Sequence, residues 1–320
     1  MIGLDLLAVI VGLNVFALFH HVLDFYFPKQ TEPVSLVQPL ATAEPASVQA
    51  NLRQEEVAET PEPDEEAPWR ERFADKFTDG EVIRTENSYK SANINVTITT
   101  VEEKALVYSV ADIYVSDVRY LRSALGENGF RSRGYATDLA EANNAVVAIS
   151  GDYYSARQEG VVVRNGYLYR ETRYEDVCIL LRDGRMLTIT DSQLDLDELK
   201  EASPWQVWSF GPRLLENGKA LTKFNSTVER NNPRSAIGYV EPGHYYFVQV
   251  DGRGANGSRG MTLEQLAQLF ESLGCETAYN LDGGQTAGIV WDGELVSFPY
   301  GRMISDIIYV TDFPEEDGEE

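Results

Sequence analysis

Between residues 161 and 293 this sequence repeatedly sets Asn-Gly or Asp-Gly beside short runs of β-branched and aromatic residues. Asn165-Gly166 separates Val161-Val162-Val163-Arg164 from Tyr167-Leu168-Tyr169. Asp183-Gly184 follows Ile179-Leu180-Leu181, and Asp292-Gly293 follows Ile289-Val290-Trp291. Asn and Asp tolerate a left-handed backbone and Gly adopts it freely, so such pairs close tight hairpins. Strands joined by tight turns run antiparallel, because a parallel pair needs a crossover of a dozen or more residues. Asn95–Val101, Ala105–Val115, Ala145–Ser150, Tyr245–Val250 and Thr277–Leu281 add further strand-like runs. One clear helix interrupts them: Leu263, Leu266, Ala267, Phe270 and Leu273 share a face, Thr262 with Gln265 forms a capping box, and Gly274 supplies a left-handed stop. A weaker helix covers Asp138–Asn143. The expected fold class is α+β, a largely antiparallel or mixed sheet with a few packed helices, formed by residues 81–313.

The chain ahead of that unit has a different composition. Ile2–Phe27 is dominated by Leu, Val, Ile, Phe and Ala, and Asp5 is its only charge before His20, His21 and Asp24. About 20 apolar residues in a helix span a bilayer core. A cleavable leader would show a basic start and a small-x-small site directly after the apolar run. Neither is present, since Ala41-Thr42-Ala43 lies too far downstream. Residues 1–27 therefore read as an uncleaved transmembrane helix, with the membrane as its partner. Residues 28–80 carry Pro33, Pro39, Pro45, Pro61, Pro63 and Pro68 and an acidic run, Glu55–Glu66. Such a segment buries too little apolar surface to offset its chain entropy, so a disordered stalk is expected. Residues 314–320 form a short acidic tail.

The chain has 51 acidic residues against 27 basic ones, a formal charge of −24. That field repels polyphosphate at long range, so nucleic acid is not an expected partner. A phosphate-bearing substrate must be met by a local group of arginines. The two cysteines and three histidines are too few for a four-thiolate or multi-histidine metal centre, and no cofactor is called for.

The chemistry-bearing stretch runs from Pro233 to Asp306. Two strand-like segments each end in Asp-Gly, Asp251-Gly252-Arg253-Gly254 and Asp282-Gly283-Gly284, on either side of the capped helix. Glycine admits a ligand close to the backbone, and loops after strands often carry catalytic groups. Arg234, Arg253 and Arg302 lie in or beside strand-like segments, and a guanidinium matches phosphate bidentately.

In order along the chain, Pro233-Arg234-Ser235-Ala236-Ile237-Gly238, Val250-Asp251-Gly252-Arg253, Gly260-Met261-Thr262 and Asn280-Leu281-Asp282-Gly283-Gly284 resemble the phosphodiester glycosidase family. Ala148-Ile149-Ser150-Gly151-Asp152-Tyr153-Tyr154, Phe210–Gly218 and Arg302–Val310 extend the resemblance over nearly all of the folded unit. Ser150 stands where the family usually has Asn, and Gln285 where a further Gly is frequent. The resemblance implies cleavage of a sugar C1–O bond whose other side is a phosphodiester. It points to Asp282 as principal carboxylate, Asp251 as its partner and Asp152 as a third candidate. Arg234, Arg253 and Arg302 would hold the phosphate. Asn280, Ser258, Ser150 and Thr286 would hydrogen-bond ligand oxygens, and Gly283 and Gly284 would let them approach. Together with the anchor, this implies a single-pass protein at the cell membrane whose extracellular domain acts on a sugar-phosphate or glycopolymer substrate. The rival reading is a non-catalytic saccharide-binding factor in exopolysaccharide assembly.

Overall fold

The hairpins form where the turn chemistry placed them. In the computed structural model Asn165 and Gly166 have φ of 51° and 82°, and Asp292 and Gly293 have 50° and 82°, the left-handed pairs that a two-residue turn requires. The structure describes residues 33–36, 69–296 and 302–313. The chain divides into two compact units, Met1–Pro33 and Val34–Glu320; the second carries the architecture below.

Strands are numbered in chain order. A seven-stranded sheet has the order β17 (Thr277–Leu281), β15 (Arg234–Glu241), β16 (His244–Val250), β5 (Leu106–Val115), β4 (Ile94–Glu103), β3 (Ser88–Lys90), β2 (Ile83–Arg84). A six-stranded sheet runs β1 (Val34–Ser35), β9 (Tyr167–Glu171), β8 (Val161–Arg164), β12 (Gln206–Trp208), β10 (Val177–Leu180), β11 (Met186–Ile189). A five-stranded sheet runs β19 (Glu294–Leu295), β18 (Ile289–Trp291), β7 (Val147–Ser150), β20 (Asp306–Val310), β6 (Leu121–Leu125), and β13 (Leu215–Glu216) pairs with β14 (Lys219–Ala220). Pairings among these strands are antiparallel, as in β4 with β5 and β15 with both β16 and β17.

The main core lies where the three large sheets face one another, with Ile237, Phe247 and Tyr279 from the first, Cys178 and Trp208 from the second, and Ile149 and Ile308 from the third. Three helices cover outer faces. Helix α4 (Leu263–Ser272) buries Leu263, Leu266, Ala267 and Phe270 against β15–β17, and both halves of its capping box are made by Thr262 and Gln265. Helix α2 (Ala136–Ala142) packs on the five-stranded sheet, and α3 (Leu196–Glu201) on the six-stranded one. Cys178 and Cys275 are free, buried thiols.

One expectation about the N-terminal region changes. Within the stalk expected over 28–80, residues 34–36 and 69–80 take part in the fold. Residues 34–35 add a strand to the edge of β9, and Leu36 N–H donates to the Gly166 carbonyl at 2.8 Å. Helix α1 (Trp69–Arg72) and the turn after it bury Phe73 and Phe77 and lay the Trp69 ring where Gly184 leaves no room for a Cβ. The average composition of 28–80 hides these three aromatics, which give its last residues apolar surface to bury. The proposed membrane helix over 1–27 and the acidic tail lie outside the described residues. Among the described residues no helix is long and apolar enough to cross a membrane.

Candidate active site

Four loops meet where β17 ends. Asn280 N–H donates to Pro212 O at 3.1 Å, Asp282 N–H to Gly151 O at 2.8 Å, and Gly284 N–H to Pro233 O at 3.0 Å. These bonds tie the β17 tip to the loops after β12 and β7 and to the start of β15. They floor a cavity of about 590 Å3 whose lining includes Arg157, Arg234, Arg253, Asn280, Asp282 and Glu175. Gly283 and Gly284 line it as well. A Cβ on Gly283 would sit 2.7 Å from Pro233 O, and Gly284 has φ of 67°, so neither position readily takes a side chain.

Asp282 is 8% exposed, and its Oδ2 has no hydrogen-bond partner among the described residues. Burial is the main reason its carboxyl is pushed up to about 7. The Thr286 hydroxyl beside it opposes that shift, the Asp152 charge adds to it, and Arg302 and Arg157 pull it back. Asn280 is fixed by Nδ2 donating to Gly211 O at 2.8 Å, which leaves its buried Oδ1 without a partner. The native fold thus holds two costly unmet acceptors at one cavity, the signature of a site that a ligand completes.

Arg234 lines the same cavity at 4% exposure. Its Nε donates to Met261 O at 3.1 Å, and its Nη2 to Val228 O at 2.8 Å and Arg230 O at 2.6 Å. No carboxylate pairs with it among the described residues, and desolvation lowers its guanidinium to about 10. Arg253 reaches over Gly284 and donates to Asn232 Oδ1 at 3.3 Å. Arg302 is exposed and acts on Asp282 through its field. Arg157 was not singled out in the sequence. It is held by Nη1 donating to Ser209 O at 3.1 Å, with the Tyr174 and Phe210 rings 4.5 and 5.0 Å from its guanidinium.

A second tier lies behind the cavity. Arg164, 1% exposed, donates from Nε to Asp306 Oδ2 at 2.6 Å and from Nη2 to Asp152 Oδ2 at 3.4 Å. Its Nη1 donates to the carbonyls of Val163 and Val207. Asp306 Oδ1 accepts from Asp152 N–H at 2.7 Å, and Asp152 Oδ2 also accepts from Ser209 N–H at 2.8 Å. Burial pushes the Asp306 carboxyl up to about 6 despite Arg164. Asp152 is therefore spent inside an ion-pair network and reaches Asp282 only through space. Arg164 and Asp306 lie in segments already quoted, Val161–Arg164 and Arg302–Val310, but nothing in either segment pairs the two; a buried charge in an interior strand becomes readable only once its partner is placed.

Four further sequence candidates are not part of the cavity lining. Asp251, expected as the partner of Asp282, is not part of the lining. Its carboxylate accepts from Gln249 Nε2 at 2.9 Å and Asn256 Nδ2 at 2.7 Å, which braces the loop that leads to α4. Ser258, fully buried, donates to Asp251 O at 2.6 Å and accepts from Val107 N–H, so it staples that loop to β5. Ser150 is fully buried in β7 with an unpartnered hydroxyl. Thr286 donates to Gly283 O at 2.7 Å and supports the turn under Asp282. Asp251 and Ser258 were read as site residues because both follow a strand tip; their side chains turn back into their own loop.

Comparison with known proteins shows the family. Residues 143–311 match the phosphodiester glycosidase family. The SPbeta prophage-derived uncharacterized protein YomE of Bacillus subtilis (strain 168) is 27% identical over 204 residues, 59% of this chain and 31% of that protein. The N-acetylglucosamine-1-phosphodiester alpha-N-acetylglucosaminidase of Bos taurus is 27% identical over 148 residues, 46% of this chain and 25% of that enzyme. The chain thus spans about a third or less of the curated relatives it matches. The catalytic domain of the zebrafish N-acetylglucosamine-1-phosphodiester alpha-N-acetylglucosaminidase superposes with a TM-score of 0.57 at 22% identity, covering 74% of this chain and 86% of that domain. That likeness is one of fold.

Proposed function

We propose that this chain, which belongs to the phosphodiester glycosidase family, hydrolyses the C1–O bond of a glycosyl-1-phosphodiester. The observation that carries the reading is Asp282: a buried carboxyl raised to about 7, with an unmet oxygen, on a cavity shared with a buried guanidinium that has no counter-ion among the described residues. A carboxylate that titrates near the working pH is suited to take a proton from water. Phosphate departs readily as an anion, so the site must chiefly stabilise an oxocarbenium-like transition state and the leaving charge. Water adds to C1 and gives its proton to Asp282. The electron pair of the C1–O bond leaves on a phosphate monoester that Arg234 and Arg253 hold. Asp152 and Arg302 set the field around Asp282 from opposite directions.

The apolar run Ile2–Phe27 supports a further proposal, that the enzyme is tethered to the cell membrane by a single pass with its catalytic unit outside. Its substrate is then a sugar-phosphate linkage in a surface or secreted glycopolymer. The test is incubation of the purified chain with the methyl ester of N-acetylglucosamine 1-phosphate, following free sugar by NMR. Turnover that falls at least about a thousandfold in Asp282→Ala, with circular dichroism unchanged, supports the enzyme. Saccharide binding without turnover in the unmodified protein favours the saccharide-binding reading instead.

A further inference from the structure

Beyond the reaction, the cavity divides by hydrogen-bonding sense. Arg234 and Arg253 present donors only and lie beside the Gly283-Gly284 turn, where a Cβ on Gly284 would sit 3.1 Å from Arg253 Nη2. Among the other lining groups, Asn280 Oδ1 and Asp282 Oδ2 are buried acceptors without partners among the described residues, and Glu175 adds a second carboxyl group to the lining. Glu175 sits at φ of 46°, a left-handed backbone that is uncommon and strained for a non-glycine residue. A Cβ on Gly211 would lie 3.5 Å from Glu175 Oε2, and Gly211 O is the acceptor that fixes Asn280. Gly211 thus places the Glu175 carboxylate next to the Asn280 amide. The Tyr174 hydroxyl hydrogen-bonds Glu175, and the Tyr174 and Phe210 rings give this half an apolar wall. Arg157 is the cation on this side. Its guanidinium lies against those two rings, and one of its nitrogens is bonded to Ser209 O, so it serves to hold the wall.

We propose that Glu175, Asn280 and Asp282 form the sugar-binding half of the cavity, an acceptor surface beside an aromatic wall that takes a neutral or amine-bearing pyranose and rejects uronic acids. The proposal rests on the glycosyl-phosphodiester reading for the identity of the other half. Hydroxyls and N–H groups on the sugar would satisfy the unmet acceptors, while its C–H face would lie on Tyr174 and Phe210. A carboxylate on the sugar would meet these acceptors, with Arg157 as the cation beside them. At about 6 Å from Glu175 and an effective dielectric near 20, the repulsion lowers affinity on the order of a hundredfold, and Arg157 cancels part of it. The net discrimination expected is about tenfold or more.

Titration calorimetry on the whole chain tests this with two probes, the C-glycosyl phosphonates of glucose and of glucuronic acid, in which carbon replaces the scissile oxygen. The glucose probe should bind at least about tenfold more tightly, and Glu175→Gln should narrow the gap to about threefold or less. If Glu175→Gln fails to fold, Tyr174→Phe, which removes the hydroxyl that holds the carboxylate, should shrink the gap at least about threefold. Equal binding of the probes, binding of neither, or a gap that survives substitution overturns the proposal. Binding of the glucose probe without turnover of its oxygen-linked counterpart defeats the catalytic reading and leaves this one standing.

Discussion

Replacing Asp282 with Asn should make the protein more stable at alkaline pH while removing its activity. Burial holds the Asp282 carboxyl near 7, against an ordinary value of 3.8. The folded chain therefore binds this proton more tightly than the unfolded chain. The contribution is fully present below about pH 3, where both states are protonated. It is lost as pH rises through about 7 and the folded protein must ionise a buried group. A difference of roughly 3 pK units corresponds to about 4 kcal/mol at the alkaline plateau, and about 1 kcal/mol of that is already lost at pH 4.5. Asn cannot ionise, so Asp282→Asn should gain about 3 kcal/mol on the native protein between pH 4.5 and 8.5. For a domain of this size that is about 6–12 °C in Tm. The charges facing Asp282, from Asp152, Arg157 and Arg302, are common to both proteins, and so is the titration of Asp306 near 6. They cancel to first order in the comparison. Thermal unfolding followed by circular dichroism at the two pH values in 0.15 M salt measures the difference. A Tm gap that does not widen with pH refutes the reasoning, whatever its size.

The same ionisation fixes a kinetic sign: a base must be unprotonated, so kcat/KM should rise with pH and level off above about 7. A rate that falls across that range makes Asp282 a proton donor instead. Arg164→Met leaves Asp152 and Asp306 buried with no cation between them and should cost about 3–5 kcal/mol in urea unfolding; a loss under about 1 kcal/mol contradicts the network. Asp251→Asn keeps the loop bond to Gln249 or Asn256 but removes the charge, and should lower kcat/KM by less than about fivefold. A loss comparable to that of Asp282→Ala would return Asp251 to the chemistry.

What could be read along the chain is what neighbouring residues decide among themselves. Asn165-Gly166 and Asp292-Gly293 set their hairpins because two residues suffice to specify a left-handed turn. Thr262 and Gln265 started α4 because a capping box is closed within one turn. The antiparallel sheets and the α4 face followed from such local rules, whereas a shared site for Arg234, Asp251 and Asp282 was expected only from the family resemblance, and Asp251 is absent from the cavity lining. Which acid faces the cavity was not local. Asp251 and Asp282 read alike, each an Asp-Gly at a strand tip, and they part only because Gln249 and Asn256 reach the first while no residue meets Oδ2 of the second. Arg164 and Asp306 are separated by 142 residues, and Glu175 reaches the cavity through a loop with no motif. Desolvation and through-space charge set protonation and pairing, and both depend on distances that exist only after the sheets have packed.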